Sequence, residues 1–172
     1  MTLRTTSWTP PENGALFVVA GASGTGKTTL VKEALASVPG LEFSVSATTR
    51  PIRDGEVDGK DYLFLDRTSF MNRVHDGEFL EWAEVYGNCY GTLRRPVEEV
   101  LGRGQSILLD IDTQGAEQVR SSGIPHTSIF VLPPDIDTLA RRLSGRGTDD
   151  DSVIDRRLRE AHEQLSAAGT FD

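Results

Sequence analysis

Several residue types are scarce in this chain of 172 residues, and each scarcity excludes a class of protein. There is a single cysteine, Cys89, so a disulfide framework is excluded. The three histidines, His75, His126 and His162, are scattered without the spacing of metal ligands and are interpreted as surface or packing residues. No apolar run approaches the roughly 18 residues that a membrane-spanning helix needs. We therefore expect a globular chain without a membrane span, with Cys89 as a small, at least half-buried side chain.

The charge balance is acidic, because 18 basic residues face 26 acidic ones and give a net charge of −8. This balance argues against broad binding to nucleic acids or anionic membranes, although a local group of cations can still hold a phosphate. The length and the hydrophobic fraction of 37% indicate one globular domain. The chain begins with polar residues and lacks the apolar segment of a signal peptide, so a cytoplasmic location is expected.

A glycine-rich loop lies between an apolar strand pattern at 16–20 and a helical pattern at 27–38. The loop and the first helical residues match the pattern G-x-x-x-x-G-K-[ST], in which backbone N–H groups and a helix N-terminus cradle phosphates. Lys27 suits the β- and γ-phosphates, and the hydroxyl of Thr28 suits Mg²⁺. The candidate nucleotide-binding residues are Gly21, Ala22, Ser23, Gly24, Thr25, Gly26, Lys27, Thr28 and Thr29.

Strand and helix patterns alternate along the rest of the chain, which predicts an α/β fold with a largely parallel sheet. The middle region is typical of a small inserted lobe rather than of another strand–helix unit. Further strands are predicted at 43–47, 62–65, 79–86, 89–93, 106–110 and 129–132, and helices at 68–76, 96–101, 113–121, 136–143 and 152–166.

Two carboxylates, Asp110 and Asp112, follow a buried strand at 106–110. The carboxyl ends of strands are where open α/β sheets bind ligands, so Asp110 is a candidate for the water shell of a metal. Either residue can instead cap the helix that begins near Thr113. The chain lacks the N-K-x-D segment that reads guanine in GTPases, which leaves ATPases and small-molecule kinases.

A second set of residues suggests a second phosphorylated substrate. Arg50 and Arg53 lie in a loop rich in glycine and proline, with Tyr62 nearby, and could clamp a monophosphate. Carboxylates favour guanine over adenine, because guanine N1–H and N2–H₂ are donors whereas adenine N1 is an acceptor. The residues that could contact the base through hydroxyl or carboxylate groups are Ser46, Glu81, Thr92 and Asp112.

Four ordered blocks now resemble the guanylate kinase family. They are FSVSATTRPIRDGEVDGKDY at 43–62, EWAEVYGNCYGT at 81–92, LLDIDTQG at 108–115 and RLSGRG at 142–147. The resemblance runs from about Leu16 to Phe171, and it implies a three-layer P-loop NTPase fold with a parallel core sheet. It implies one domain with a core at 15–43, 96–134 and 158–172, a GMP-binding lobe at 44–95 and a helical lid at 135–157.

The resemblance implies that the chain transfers the γ-phosphate of ATP to GMP with Mg²⁺, with Thr28 as the metal-binding residue. It implies that the catalytic residues are Lys27, Arg50, Arg142, Arg146 and Arg157. It implies that GMP is bound by Ser46, Arg50, Arg53, Tyr62, Glu81, Tyr90, Thr92 and Asp112. Two plainer readings stay open: the arginines beyond position 140 could pair with neighbouring aspartates on a solvated surface, and Tyr62 and Tyr90 could be core aromatics.

Two other functions compete with this one. A guanylate-kinase-like module that binds proteins without catalysis would be expected to lack a complete phosphate loop, and a P-loop kinase for a phosphorylated sugar would not need a guanine-facing set. Partners are expected to be small molecules, without nucleic acid or membrane, and the oligomeric state is open. Family members usually continue past the position of Phe171 with one more strand and a helix, so an unpaired sheet edge and reduced stability are expected here.

Overall fold

The structure is a computed structural model that describes residues 14–144 and 165–172. In the helix that ends at Ser144, side chains are described as far as Arg142. Eight strands and five α-helices are assigned in these residues. The strands are β1 Leu16–Ala20, β2 Leu41–Phe43, β3 Ala47–Thr48, β4 Leu63–Phe64, β5 Phe79–Val85, β6 Asn88–Leu93, β7 Ser106–Asp110 and β8 His126–Phe130. The helices are α1 Lys27–Ser37, α2 Arg67–His75, α3 Arg94–Gly102, α4 Thr113–Ser121 and α5 Ile136–Ser144, and a 3₁₀ turn spans Ala167–Thr170.

The core sheet has the order β2-β7-β1-β8, and all of its pairings are parallel. Its central strands β1 and β7 are buried at four of their five positions each, because helices cover both faces. Val97 of α3 and Val119 of α4 pack on one face, whereas Val31 of α1 packs on the other. The expectation of a three-layer α/β fold with a parallel core sheet is therefore confirmed. No helix in the described part of the chain is long and apolar enough to cross a bilayer.

A second sheet, ordered β4-β3-β6-β5, lies between β2 and α3 in the sequence and has its own hydrophobic core. Phe70 of α2 is fully buried there and stacks on Phe79 with ring centroids 4.4 Å apart. Cys89 is also fully buried in this core, which confirms its expected packing role. This unit has the place and size expected of an inserted lobe, and the boundaries 44–95 stay a prediction.

Two strand predictions were wrong in detail. The single strand predicted at 43–47 is two strands in different sheets, because the chain leaves the core sheet after Ser44, whose N–H bonds Leu108 O at 3.0 Å, and joins the lobe at Ala47. The strand predicted at 129–132 lies at 126–130. Its apolar run is misleading because this strand is paired only with β1 among the described residues, and Ile129 is 42% exposed.

Phe70→Ala tests whether the inserted lobe has a hydrophobic core of its own that contributes to stability. Deleting a fully buried aromatic side chain is expected to cost about 3–5 kcal/mol of unfolding free energy, measured by urea denaturation. Met71→Ala is the matched control, because Met71 is the next residue of α2 and is 37% exposed. A loss from Phe70→Ala no larger than that from Met71→Ala would contradict the assignment of a separate lobe core.

Candidate active site

The glycine loop folds back on the core sheet directly after β1. Gly21 and Gly26 have φ values of 154° and 101°, in a region that residues other than glycine rarely adopt. A Cβ atom on Gly21 would lie 2.7 Å from Val131 O, so the loop also approaches the next strand end too closely for any side chain. Thr25 is buried, and its hydroxyl donates to Ala22 O at 2.9 Å across the loop. These constraints hold the loop open toward the start of α1.

Helix α1 begins at Lys27 with Gly26 as its N-cap, and no side chain among the described residues caps it. Its first turn contains no acidic residue. An uncapped helix N-terminus presents unpaired N–H groups and partial positive charge, which is a suitable arrangement for an anion.

A cavity of about 830 Å³, called the loop cavity here, opens in front of this helix end. Every predicted nucleotide-binding residue lines it except Gly21. The remaining lining residues come from α1, from the segment after β8 and from α5; they are Leu30, Val131, Leu132, Pro134 and Arg142. After β8, Val131 both lines the cavity and packs in the core with Val19 and Val31, whereas Leu132 is exposed toward the cavity.

A second cavity of about 260 Å³, called the lobe cavity here, lies between the core sheet and the inserted lobe. Five of the residues predicted to bind GMP line it: Ser46, Tyr62, Glu81, Tyr90 and Asp112. The two tyrosine rings meet edge to face with centroids 6.1 Å apart and are only partly buried. They are therefore cavity walls rather than core aromatics.

Lys27 lines both cavities. Its ammonium forms an ion pair with the Asp110 carboxylate and also donates to Ile111 O at 3.3 Å. This contact exists because β1 and β7 pair in parallel and end side by side. Asp110 is thus bonded to a lysine rather than capping α4.

Glu81 is the most deeply buried carboxylate of the lobe cavity, with only 4% of its surface exposed. Burial raises the pKa of Glu81 to about 7, and the nearby charge of Asp112 acts in the same direction. Thr92 lies opposite Glu81 on the neighbouring strand and is fully buried. Its hydroxyl lies beside the Glu81 carboxylate and partly offsets the effect of burial on the Glu81 pKa, although no hydrogen bond of ordinary geometry reaches this oxygen from the described residues. A buried hydroxyl left unpaired in this way is costly unless a ligand pairs with it.

Asp112 combines the two roles that its position allows. It is the N-cap of α4, because its Oδ1 accepts a hydrogen bond from Gly115 N at 2.7 Å. It also lines the lobe cavity, so part of the carboxylate faces that space. The cap fixes the side chain and leaves acceptor capacity for a ligand.

Arg50 is held in place by Glu56, a residue that the sequence analysis missed. Two hydrogen bonds of 2.7 and 3.0 Å join the guanidinium to the two carboxylate oxygens, and Glu56 also accepts from Arg53 N at 2.8 Å. The Arg50 guanidinium lies 5.4 Å from the centre of the Tyr62 ring. The side chain of Arg53 is exposed. The sequence signal that could have identified Glu56 is an acidic residue three positions after Arg53 in a tight loop.

Of the predicted lid arginines, Arg142 is described and Arg146 and Arg157 lie outside the described residues. Arg142 projects from α5 onto the glycine loop, where it donates to Gly24 O at 3.1 Å and Thr25 O at 3.0 Å. It therefore lines the loop cavity, whereas the aspartates at 149–151 and 155 lie outside the described residues.

Comparison with known proteins agrees with this geometry. The family model described as guanylate kinase matches residues 13–172. A guanylate kinase from Symbiobacterium thermophilum is 50% identical over 159 residues, covering 92% of this chain and 75% of the relative. One from Thiobacillus denitrificans is 50% identical over 165 residues, covering 95% and 79%.

A solved structure supports the same relationship. The crystal structure of guanylate kinase from Anaplasma phagocytophilum matches with a TM-score of 0.75 and 34% sequence identity, covering 95% of this chain and 76% of that chain. The sequence and structural matches span the residues of both cavities and of both sheets. The chain belongs to the guanylate kinase family.

Proposed function

We propose that the chain transfers the γ-phosphate of ATP to GMP, giving ADP and GDP, with ATP in the loop cavity and GMP in the lobe cavity. The observation that carries the proposal is the position of Lys27, whose ammonium lies where the two cavities meet. Phosphoryl transfer needs two anions in line and charge neutralisation between them, and a cation at this junction supplies the charge neutralisation.

Guanine recognition is assigned to the acceptors of the lobe cavity. Glu81 and Asp112 face the space from β5 and from the end of β7, and both can accept from guanine N1–H and N2–H₂. The unpaired hydroxyl of Thr92 lies beside Glu81 and suits a further contact to the base. Ser46 lines the same cavity. Adenine would place its N1 acceptor against these acceptors, so AMP is disfavoured.

The phosphate of GMP is assigned to the side of the same cavity formed by Tyr62 and Tyr90, beside which Arg50 lies without lining the cavity itself. The guanidinium of Arg50 is already oriented beside the Tyr62 ring, and Tyr90 supplies a second phenol hydroxyl. Arg53 lies in the same loop with an exposed side chain that can reach a ligand. Arginine suits this task because its planar donors match phosphate oxygens.

A divalent cation fits the same junction. Thr28 lines the loop cavity next to Lys27, and the Asp110 carboxylate lies against the Lys27 ammonium, so hard oxygen donors are present on both sides. We assign Thr28 as a direct ligand and Asp110 to the surrounding water shell. When bound with ATP, Mg²⁺ neutralises charge on the phosphate oxygens.

No general base is needed, because the acceptor is already a phosphate anion. Lys27 and Arg50 hold the two phosphates in place. Arg142 lies at the glycine loop and can stabilise negative charge on the transferred phosphoryl group. We assign the same role to Arg146 and Arg157. Closure of the segment 135–157 and of the lobe 44–95 would exclude water and so limit ATP hydrolysis. Cytoplasmic location and the absence of nucleic acid or membrane partners remain part of the proposal.

The acceptor test separates this function from its competitors. ADP formation by the full chain with ATP and Mg²⁺ is expected with GMP, and much less with AMP or a phosphorylated ribose. Lys27→Ala is expected to lower turnover by at least roughly 100-fold, since a charge at the transfer point is removed. Lys32→Ala, an exposed position of the same helix, is the control and should leave turnover unchanged. A folded chain inactive with all three acceptors would instead support a non-catalytic module.

Glu81→Gln tests recognition of the base. The preference for GMP over AMP is expected to fall roughly 10- to 100-fold, because a charged acceptor to guanine is lost. Since the pKa of Glu81 is about 7, the carboxylate form gains population as pH rises through neutrality, and the KM for GMP in the unchanged chain should fall. This pH dependence should flatten in Glu81→Gln. Glu84→Gln, exposed on the same strand, should change neither property. An unaltered preference in Glu81→Gln would remove this residue from base recognition.

Glu56→Gln tests the orientation of Arg50. The KM for GMP is expected to rise roughly tenfold, because the guanidinium loses its charge-assisted partner, while binding of guanosine, which has no phosphate, stays unchanged. Glu78→Gln, which removes a surface ion pair with Arg73, is the control. A fall in the GMP KM would mean that Glu56 competes with the phosphate for Arg50 instead of positioning it.

A further inference from the structure

Gly115 occupies an unexpected place in helix α4. It is buried in the first part of the helix, and its backbone does not need the conformational freedom of glycine. Glycine inside a helix costs about 1 kcal/mol relative to alanine, so another constraint must favour it. A Cβ atom built on Gly115 would overlap Glu81 Oε2 and lie 3.1 Å from Glu81 Cδ. The space that any side chain would need is filled by the Glu81 carboxylate.

The helix cannot easily move away to make room. One turn beyond Gly115, the Gln118 amide accepts from Trp82 N at 3.1 Å and donates to Trp82 O at 2.7 Å. Trp82 directly follows Glu81, so this pair of bonds fixes α4 to the backbone of β5 beside the carboxylate. On the other side of Gly115, the Asp112 cap bonds Gly115 N at 2.7 Å.

The backbone of Glu81 is also confined from the neighbouring strand. A Cβ atom on Gly91 of β6 would lie 2.8 Å from Glu81 O and 2.9 Å from Trp82 Cβ. Because the main chain on both sides is fixed, a methyl group at position 115 would displace the Glu81 side chain rather than the helix or the strand.

We propose that Gly115 is a positioning residue for guanine specificity: by having no side chain, it lets the Glu81 carboxylate pack against the first turn of α4 and face the lobe cavity. This inference rests on the proposed function, in which that carboxylate accepts from guanine. Gly115 itself contacts no base. It acts through Glu81, and substitution should therefore affect GMP and not ATP.

Gly115→Ala is the test, with Gly102→Ala as its matched control. Gly102 is the last residue of helix α3, is exposed, and a Cβ atom there would meet nothing within 4 Å. Gly115→Ala is expected to raise the KM for GMP roughly 10- to 100-fold, the effect of losing one charge-assisted hydrogen bond, with the KM for ATP and kcat changed by less than about twofold. Gly102→Ala should leave all three unchanged. Equal rises in both KM values, or no rise for GMP, would overturn the inference.

A double-variant cycle tests whether the effect passes through Glu81. In a Glu81→Ala background the carboxylate is absent, so adding Gly115→Ala should leave the KM for GMP within about twofold of Glu81→Ala alone. A further tenfold rise would show that Gly115 acts by another route. If Gly115→Ala alone fails to fold, the comparison of Glu81→Ala with the double variant still decides: an equally stable double variant with the same KM supports the contact, and an unfolded one refutes it.

The result also separates this inference from the proposed function. If the unchanged chain forms no ADP in the presence of GMP, the proposed function fails before any variant is made. If the unchanged chain is active and Gly115→Ala has the same KM for GMP, only the positioning role fails.

Discussion

The parallel pairing of β1 with β7 is the constraint on which the rest of the site depends. Its register places Val19 beside Asp110, so both strands end together at one edge of the sheet. The glycine loop leaves from the end of β1, and Asp112 follows the end of β7. The Lys27–Asp110 ion pair closes the gap between them. The glycine loop and the Asp112 carboxylate of the lobe cavity, more than 80 residues apart in sequence, become neighbours because two buried strands run in the same direction.

The lobe cavity contains polar groups whose burial lowers the stability of the folded chain. In the unfolded chain Glu81 ionises near its ordinary pKa of 4.5, whereas in the folded chain its pKa is about 7. Between these values the folded state binds the extra proton, so this carboxylate lowers stability as pH rises through the window, by on the order of 3 kcal/mol once both forms are ionised. The unpaired Thr92 hydroxyl adds to the cost. Both are polar groups that packing alone would not select, which is consistent with a ligand that pairs with them.

Sequence reasoning was most successful where the structural information is local. The glycine loop, its strand and its helix lie within one short segment, and α4 was predicted with the observed bounds, Thr113–Ser121. It was less successful where a neighbour distant in sequence decides. The apolar run after position 128 was interpreted as a strand, yet Leu132 is 58% exposed and lines the loop cavity. Glu56 and Gly115 went unnoticed because their contacts, with Arg50 and with Glu81, exist only after the loop closes or the lobe packs on α4.

Three described cations of the site share one arrangement that reconciles an acidic chain with two anionic substrates. Lys27 is paired with Asp110, Arg50 with Glu56, and Arg142 with the loop carbonyls of Gly24 and Thr25. Three positive groups brought together without partners would repel one another and would sample many rotamers, and ordering them during binding would weaken affinity. Oxygen acceptors from the protein hold each group near its working position instead. Local positive charge, already oriented, is therefore compatible with a net charge of −8, and substrate phosphates meet cationic groups that are already in place.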